Sequence, residues 1–351
     1  MRCKTTAPLL FPRVLSRVLS PRVLSPLSLL APFLLACSLL ASACDGDDPA
    51  PAWESVDIGA IQSLSGVWGS GSDDVFIVGG DDDQGEIHHY DGSAWSKMAL
   101  PSDVGLLVWS YGFGPSDVWT VGRLGALLHY DGTTWSKVDS KTDQDLWGVW
   151  GASANDVYMV GGNVFSGQVT ILHWDGTEIQ EEAFPDTANP LDVRALFKVF
   201  GIGGRLFAVG QKGLIVEREA SGWVRHPAGQ EADEDFVALW GSSADNIIAV
   251  GGRANSKIST FDGTTWTTSE PSQNFGGLNA VYVDAQGLVR VGGVNGAVGI
   301  WDSVARDVIY DPSNTILAIH AMWTDPDGKT YAVGGTFFDP HQGVVMTLDA
   351  K

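Results

Sequence analysis

Apolar residues along this chain gather into short runs of strand length, and one such run returns seven times: DVFIVG, DVWTVG, DVYMVG, RLFAVG, NIIAVG, GLVRVG and KTYAVG. Each ends in a valine-glycine step, at Gly79, Gly122, Gly161, Gly210, Gly251, Gly292 and Gly334, so the copies stand 43, 39, 49, 41, 41 and 42 residues apart. That period is too long for a horseshoe repeat and fits one four-stranded blade of a β-propeller. Most of the runs are nearly unbroken in apolar character, which is the pattern of a strand covered on both faces by neighbouring sheets.

The rest of each unit supplies three more strands. The segment before each run combines small residues with one aromatic: Trp68, Tyr111, Trp150, Phe200, Trp240, Tyr282 and Trp323. Small residues suit the innermost strand, where sheets crowd round an axis. A third segment closes on an aromatic and an aspartate, at Tyr90-Asp91, Tyr130-Asp131, Trp174-Asp175, Phe261-Asp262 and Trp301-Asp302. Glycine follows the aspartate in four of these five, which predicts hairpins whose two turn residues both take positive φ. A fourth strand then carries Trp95, Trp135, Trp223 or Trp266.

The two ends of the repeat are complementary. The last unit stops at GVVMTLDAK, a third strand with no fourth after it, whereas Pro51 to Val56 precedes the first unit and places Trp53 where Trp95 stands later. The chain is therefore predicted to be all-β, a seven-bladed β-propeller of four-stranded antiparallel blades over residues 52–351. Residues 52–58 complete the seventh blade, leaving no open sheet edge.

The paired glycines at 79, 161, 251, 292 and 334, with an aromatic-aspartate about ten residues on and a tryptophan about five later, resemble kelch-type repeats. The DGTTW and DGSAW hairpins are similar to those of Asp-box (BNR) repeats in secreted bacterial propellers, although the residue that separates aspartate from glycine in the full Asp-box is missing. These resemblances span residues 52–351. They imply architecture, and they imply a family range of binding scaffolds, assembly factors and a few enzymes.

The first 43 residues hold Arg2, Lys4, Arg13, Arg17 and Arg22 and no acid, then an apolar stretch from Leu27 to Leu40. This is the charge order and length of an export signal. Ala41-Ser42-Ala43-Cys44 resembles a bacterial lipobox, which implies cleavage before Cys44, acylation of its thiol, and a flexible linker over residues 44–51. The protein is accordingly expected at the bacterial cell envelope, on its periplasmic or outer face, meeting the membrane through the lipid alone, and secreted if not acylated. Cys37 offers a competing cleavage point that would leave an apolar stub.

Beyond Cys44 there is no cysteine, so thiolate redox chemistry and disulfides are excluded from such a mature chain. The whole chain carries 21 basic and 42 acidic residues, and losing the leader takes the net charge from -21 to -26. A surface this acidic repels phosphate backbones, so nucleic acid is not an expected partner.

Candidate chemistry is sparse. His89, His129 and His173 occupy equivalent third-strand positions on separate blades and cannot converge on one ion, so no metal site is predicted from them. Asp74, Asp117 and Asp156 recur before the second strand, where side-chain to backbone bonding at a turn is expected. Most tryptophans fall at repeat positions and are read as packing. No nucleophile elbow, phosphate loop or zinc-protease motif occurs, and no catalytic residue is assigned.

Loop lengths are more informative. Connections between strands one and two, and between three and four, are short and alike, whereas those on the opposite face are longer and differ from blade to blade. Rigid strands with divergent loops are the usual arrangement of a recognition surface. That face is predicted to carry Asp81, Asp82, Asp83, Phe165, Glu181, Glu182, Phe184, Asp233, Phe275, Phe337 and Phe338. The expected function is a monomeric, non-catalytic module that binds or scaffolds an envelope protein or glycan. The alternative is a glycoside hydrolase or lyase pairing Glu181 or Glu182 with Asp233 at carboxylate separations of about 5 to 10 Å. No cofactor is expected, save that Asp81 to Asp83 form a possible Ca2+ loop.

Overall fold

A computed structural model describes residues 52–349 apart from 230 and 275. The export signal, Cys44 and the linker lie outside the described residues, as does Phe275. Among the described residues no helix is long and apolar enough to cross a membrane.

The chain forms seven four-stranded antiparallel sheets. Six are simple meanders, each running from an inner strand outwards; the first spans Ser63–Gly71, Asp74–Gly80, Gly85–Tyr90 and Trp95–Lys97. The seventh takes Ala318–Thr324, Thr330–Thr336 and Gln342–Leu348 from the C-terminal end and receives Glu54–Ser55 as its outer strand. Glu54 stands opposite Thr347, Ser55 opposite Met346, and the Val56 N–H donates to Val345 O at 2.9 Å. Trp53 is 4% exposed and packs with Val298 of blade six and Ile319, Met322 and Met346 of blade seven. The ring is thus zipped shut by the first described residues.

Each inner strand packs against the inner strands on both sides, and a belt of aromatics fills the joints. Trp68 neighbours Tyr111, Tyr111 neighbours Trp150, Trp150 neighbours Phe200, Phe200 neighbours Trp240, and Trp240 stacks on Tyr282, with ring centres 4.6 to 6.4 Å apart. The small residues of the same strands make this possible. A Cβ on Gly112 would meet the Trp68 ring at 2.6 Å, and one on Gly69 would meet the Trp323 ring at 2.5 Å. Aromatic and glycine therefore interlock from blade to blade.

The aspartate-glycine hairpins differ in detail from expectation. Gly92, Gly132, Gly176 and Gly263 have φ between +86° and +94°, but the preceding aspartates do not take positive φ. Their carboxylates instead accept two backbone amides each, as Asp91 does from Ser93 and Ala94 at 2.9 Å. These Asx-type bonds specify the turn without a second left-handed residue. They hold Asp91 and Asp175 at about 2, first through the Ser93 and Thr177 hydroxyls and then through the amides.

Candidate binding face

Because every blade runs up and down in order, the loops joining strands two and three and those joining successive blades emerge at the same end of the ring. Blades two, four and six make this corner tightly, with short 3-10 turns at Arg123–Gly125, Gln211–Gly213 and Val294–Gly296. The aspartate ending the next connection supports two of them, Asp145 accepting from Leu124 N and Asp235 from Lys212 N, both at 3.0 Å. The other blades carry longer loops between these corners.

The acidic residues expected on this face do different things. Asp81 Oδ1 accepts the amides of Asp83 and Gln84 at 2.9 and 2.7 Å, shaping its own turn. Asp82 pairs with Arg123 of the next blade, and with Asp83 they line a cleft of about 480 Å³. Glu181 lies between two adjoining clefts of about 670 and 490 Å³, the second reaching Phe184 and Asp186. Glu182 is held by Arg218 at 2.8 and 3.1 Å and by the Trp223 indole at 2.9 Å. Asp233 meets the buried Lys257 at 2.8 Å, where Glu270 is a second partner. Burial opposes the charge on Lys257, but the two carboxylates outweigh it and hold the amine above its ordinary value. Glu182 and Asp233 are therefore each bound to a different base rather than to one another.

The phenylalanines divide into two groups. Phe184 is half-buried against the core between blades three and four. Phe165 and Phe338 are 88% and 83% exposed, and Phe337, 40% exposed, rests 4.6 Å from the His320 ring. Leu124 and Ile316 add two exposed aliphatic side chains to the same face.

At the centre of this face is a feature that sequence reading did not anticipate. Every inner strand contains one extra residue near its start, a β-bulge against the second strand. The seven extra residues are Ser65, Val108, Trp147, Phe197, Val237, Asn279 and His320. All but Ser65 keep partial exposure, whereas the residues on either side of each are buried. The inner edge of an inner strand has no further strand beside it, so these residues ring the axis. Trp147 and Phe197 meet edge to face at 5.9 Å, and the Trp147 indole donates to Gly162 O at 2.9 Å. His320 accompanies them, bonded to Gly335 O at 3.1 Å; loss of water lowers its imidazole to about 4.

At the opposite end, the recurring aspartates have partners other than turn amides. Asp74, Asp117 and Asp156 lie 2.7 Å from Nε2 of His89, His129 and His173, one pair in each of blades one to three. Each imidazole also covers the second-strand aromatic, Phe76, Trp119 or Tyr158, at 4.2 to 4.5 Å. Burial pushes the Asp74 carboxyl up, but bonds from His89 and Ser70 prevail and lower it. Blade four keeps the register and reverses the charge, with Arg205 bonding Glu217 at 2.6 and 2.8 Å beside Phe207. Glu217, Glu219 and His226 form a group with metal-ligand spacing among the described residues. Arg205 already occupies both oxygens of Glu217, so the group reads as an ion-pair network.

No family model matches this chain, and no curated protein sequence does. Solved structures do match in fold. A streptogramin B lyase aligns over 86% of this chain and 98% of its own with a TM-score of 0.70 at 13% identity. YCF48 bound to D1 peptide aligns over 86% and 100% with a TM-score of 0.62 at 15% identity. The WD40 propeller of Doa1 aligns over 85% and 97% with a TM-score of 0.64 at 9% identity. At these identities the likeness defines a class, the β-propeller, whose members include lyases and binding platforms alike.

Proposed function

We propose that this protein is an exported propeller, lipidated at Cys44, whose variable-loop face binds an envelope protein or glycan without catalysing a reaction. One observation carries the reading. Of the eight large apolar side chains exposed among the described residues, Leu124, Phe165, Ile316, Phe337 and Phe338 are on the loops of this face, and Val304 alone is on the turns of the other. No repeat position demands them. Apolar groups gathered on the diverse end of a rigid ring, beside clefts lined by carboxylates and a partly exposed axial ring of Trp147 and Phe197, are a docking surface in composition and in placement.

The test uses the exported protein as bait against detergent-solubilised envelope and against a glycan array. Replacing Phe165, Ile316 and Phe338 together by serine is expected to abolish capture while leaving the melting temperature unchanged. Hydrolase or lyase turnover with no capture by the unsubstituted chain sinks the reading. Anchoring is scored separately: Cys44→Ser should end incorporation of an alkyne-tagged fatty acid and move the protein from membrane to soluble fraction.

A further inference from the structure

The residue after each bulge completes the picture of the axis. Five blades present glycine or alanine there: Gly66, Gly148, Ala238, Ala280 and Ala321. The other two present Trp109 and Lys198. These belong to blades two and four, yet Lys198 Nζ lies 3.3 Å from the centre of the Trp109 ring. The contact bypasses blade three, where the equivalent residue is Gly148 and a Cβ would come within 2.9 Å of Lys198 Cα.

Lys198 is 7% exposed, and no carboxylate or hydrogen-bond acceptor is paired with it among the described residues. Lys257, the other described lysine with little exposed surface, is by contrast given two carboxylates, Asp233 and Glu270. The indole face offsets part of the desolvation of a cation, but a largely buried ammonium still lacks an anion. Burial accordingly pushes this amine well below the usual lysine value. One residue before it stands Phe197, which with Trp147 forms a partly exposed aromatic wall.

We propose that the axial mouth of the variable-loop face is a carboxylate-binding site, in which Lys198 holds the anion and Trp147 and Phe197 take the apolar body attached to it. The proposal rests on the reading of this face as the binding face and names the chemistry at its centre. A carboxylate entering here supplies the counter-charge that the fold withholds, and in a site with little water that pair is a strong, oriented contact.

Calorimetry on the exported chain carrying Cys44→Ser tests this with phenylacetate and its uncharged counterpart, phenylacetamide. The unsubstituted axis should bind the acid saturably and about tenfold or more tighter than the amide, which needs no axial variant. Lys198→Met, close in volume and uncharged, should erase the preference, and Lys198→Arg should retain it. Absence of saturable phenylacetate binding, or a preference for the acid that survives Lys198→Met, overturns the assignment. Envelope capture is measured independently: intact capture without acid binding overturns the axial site alone, and acid binding without capture overturns only the loop-face partner.

Discussion

Trp150 of blade three occupies the space that a side chain on Gly201 of blade four would need. A Cβ there would fall within the indole, 2.7 Å from Cζ2 and 2.8 Å from Cζ3, and no other group crowds it as closely. Gly201→Ala is therefore an overpacking change at a blade joint, expected to cost about 1 to 3 kcal/mol. Urea unfolding checks the size, and Trp150→Leu provides the control. If the indole is the cause, the double variant loses clearly less than the two single variants added together.

The histidine-aspartate pairs give a graded prediction. The carboxylate of Asp74 is 12% exposed and that of Asp156 is 43% exposed. Asp74→Ala removes the more buried carboxylate, acceptor for both His89 and Ser70, and should cost roughly 1 to 3 kcal/mol, whereas Asp156→Ala should cost less than about 1 kcal/mol. Equal losses in thermal or urea unfolding would mean that burial does not set the value of these bonds.

How far the sequence reveals this molecule depends on whether a feature follows the period. The seven valine-glycine steps and the unmatched third strand near Val345 announced the blade count and the closure by Trp53, because each is a local pattern with a fixed interval. The bulge ring was hidden, since one extra residue inside a strand does not disturb a spacing that already varies from 39 to 49. The histidine-aspartate pairs do carry a signal in the sequence: Asp74 with His89, Asp117 with His129 and Asp156 with His173 appear together in blades one to three, and Arg205 with Glu217 replaces both in blade four. The apolar loop residues were visible, but which acids would be consumed by neighbours was not. The Glu182 to Arg218 and Asp233 to Lys257 bonds run from a connection between blades to a strand of the blade that follows, and only the folded packing brings them together.

His320 makes the axis sensitive to acid. Its pKa falls from 6.5 to about 4 on folding, chiefly because it leaves water, so the native ring stays neutral where the unfolded one takes up a proton. The sign follows: stability is unaffected above pH 6.5 and declines as the pH is lowered from there towards 4, by on the order of 2 to 3 kcal/mol. His320→Gln should flatten that part of the stability profile relative to the unsubstituted chain, whatever it does to stability at neutral pH. Parallel profiles for the two proteins between pH 6.5 and 4 would remove His320 as the cause.

The closing strand is short, so its contribution has to come from one side chain more than from its ladder. Glu54–Ser55 supplies two register partners to Gln342–Leu348, while Trp53 inserts into a pocket built by blades six and seven. Truncating a buried tryptophan to alanine costs about 3 to 5 kcal/mol. Trp53→Ala should therefore destabilise the ring nearly as much as deleting residues 52–58. The two variants should differ in a second respect. Deletion uncovers the edge of Gln342–Leu348 from Val345 to Thr347, and an unpaired strand edge of that kind recruits another chain. Size-exclusion chromatography is expected to show concentration-dependent oligomers for the deletion and a monomer for Trp53→Ala. If the deletion variant melts at the temperature of the intact protein, the ring is not closed by this strand.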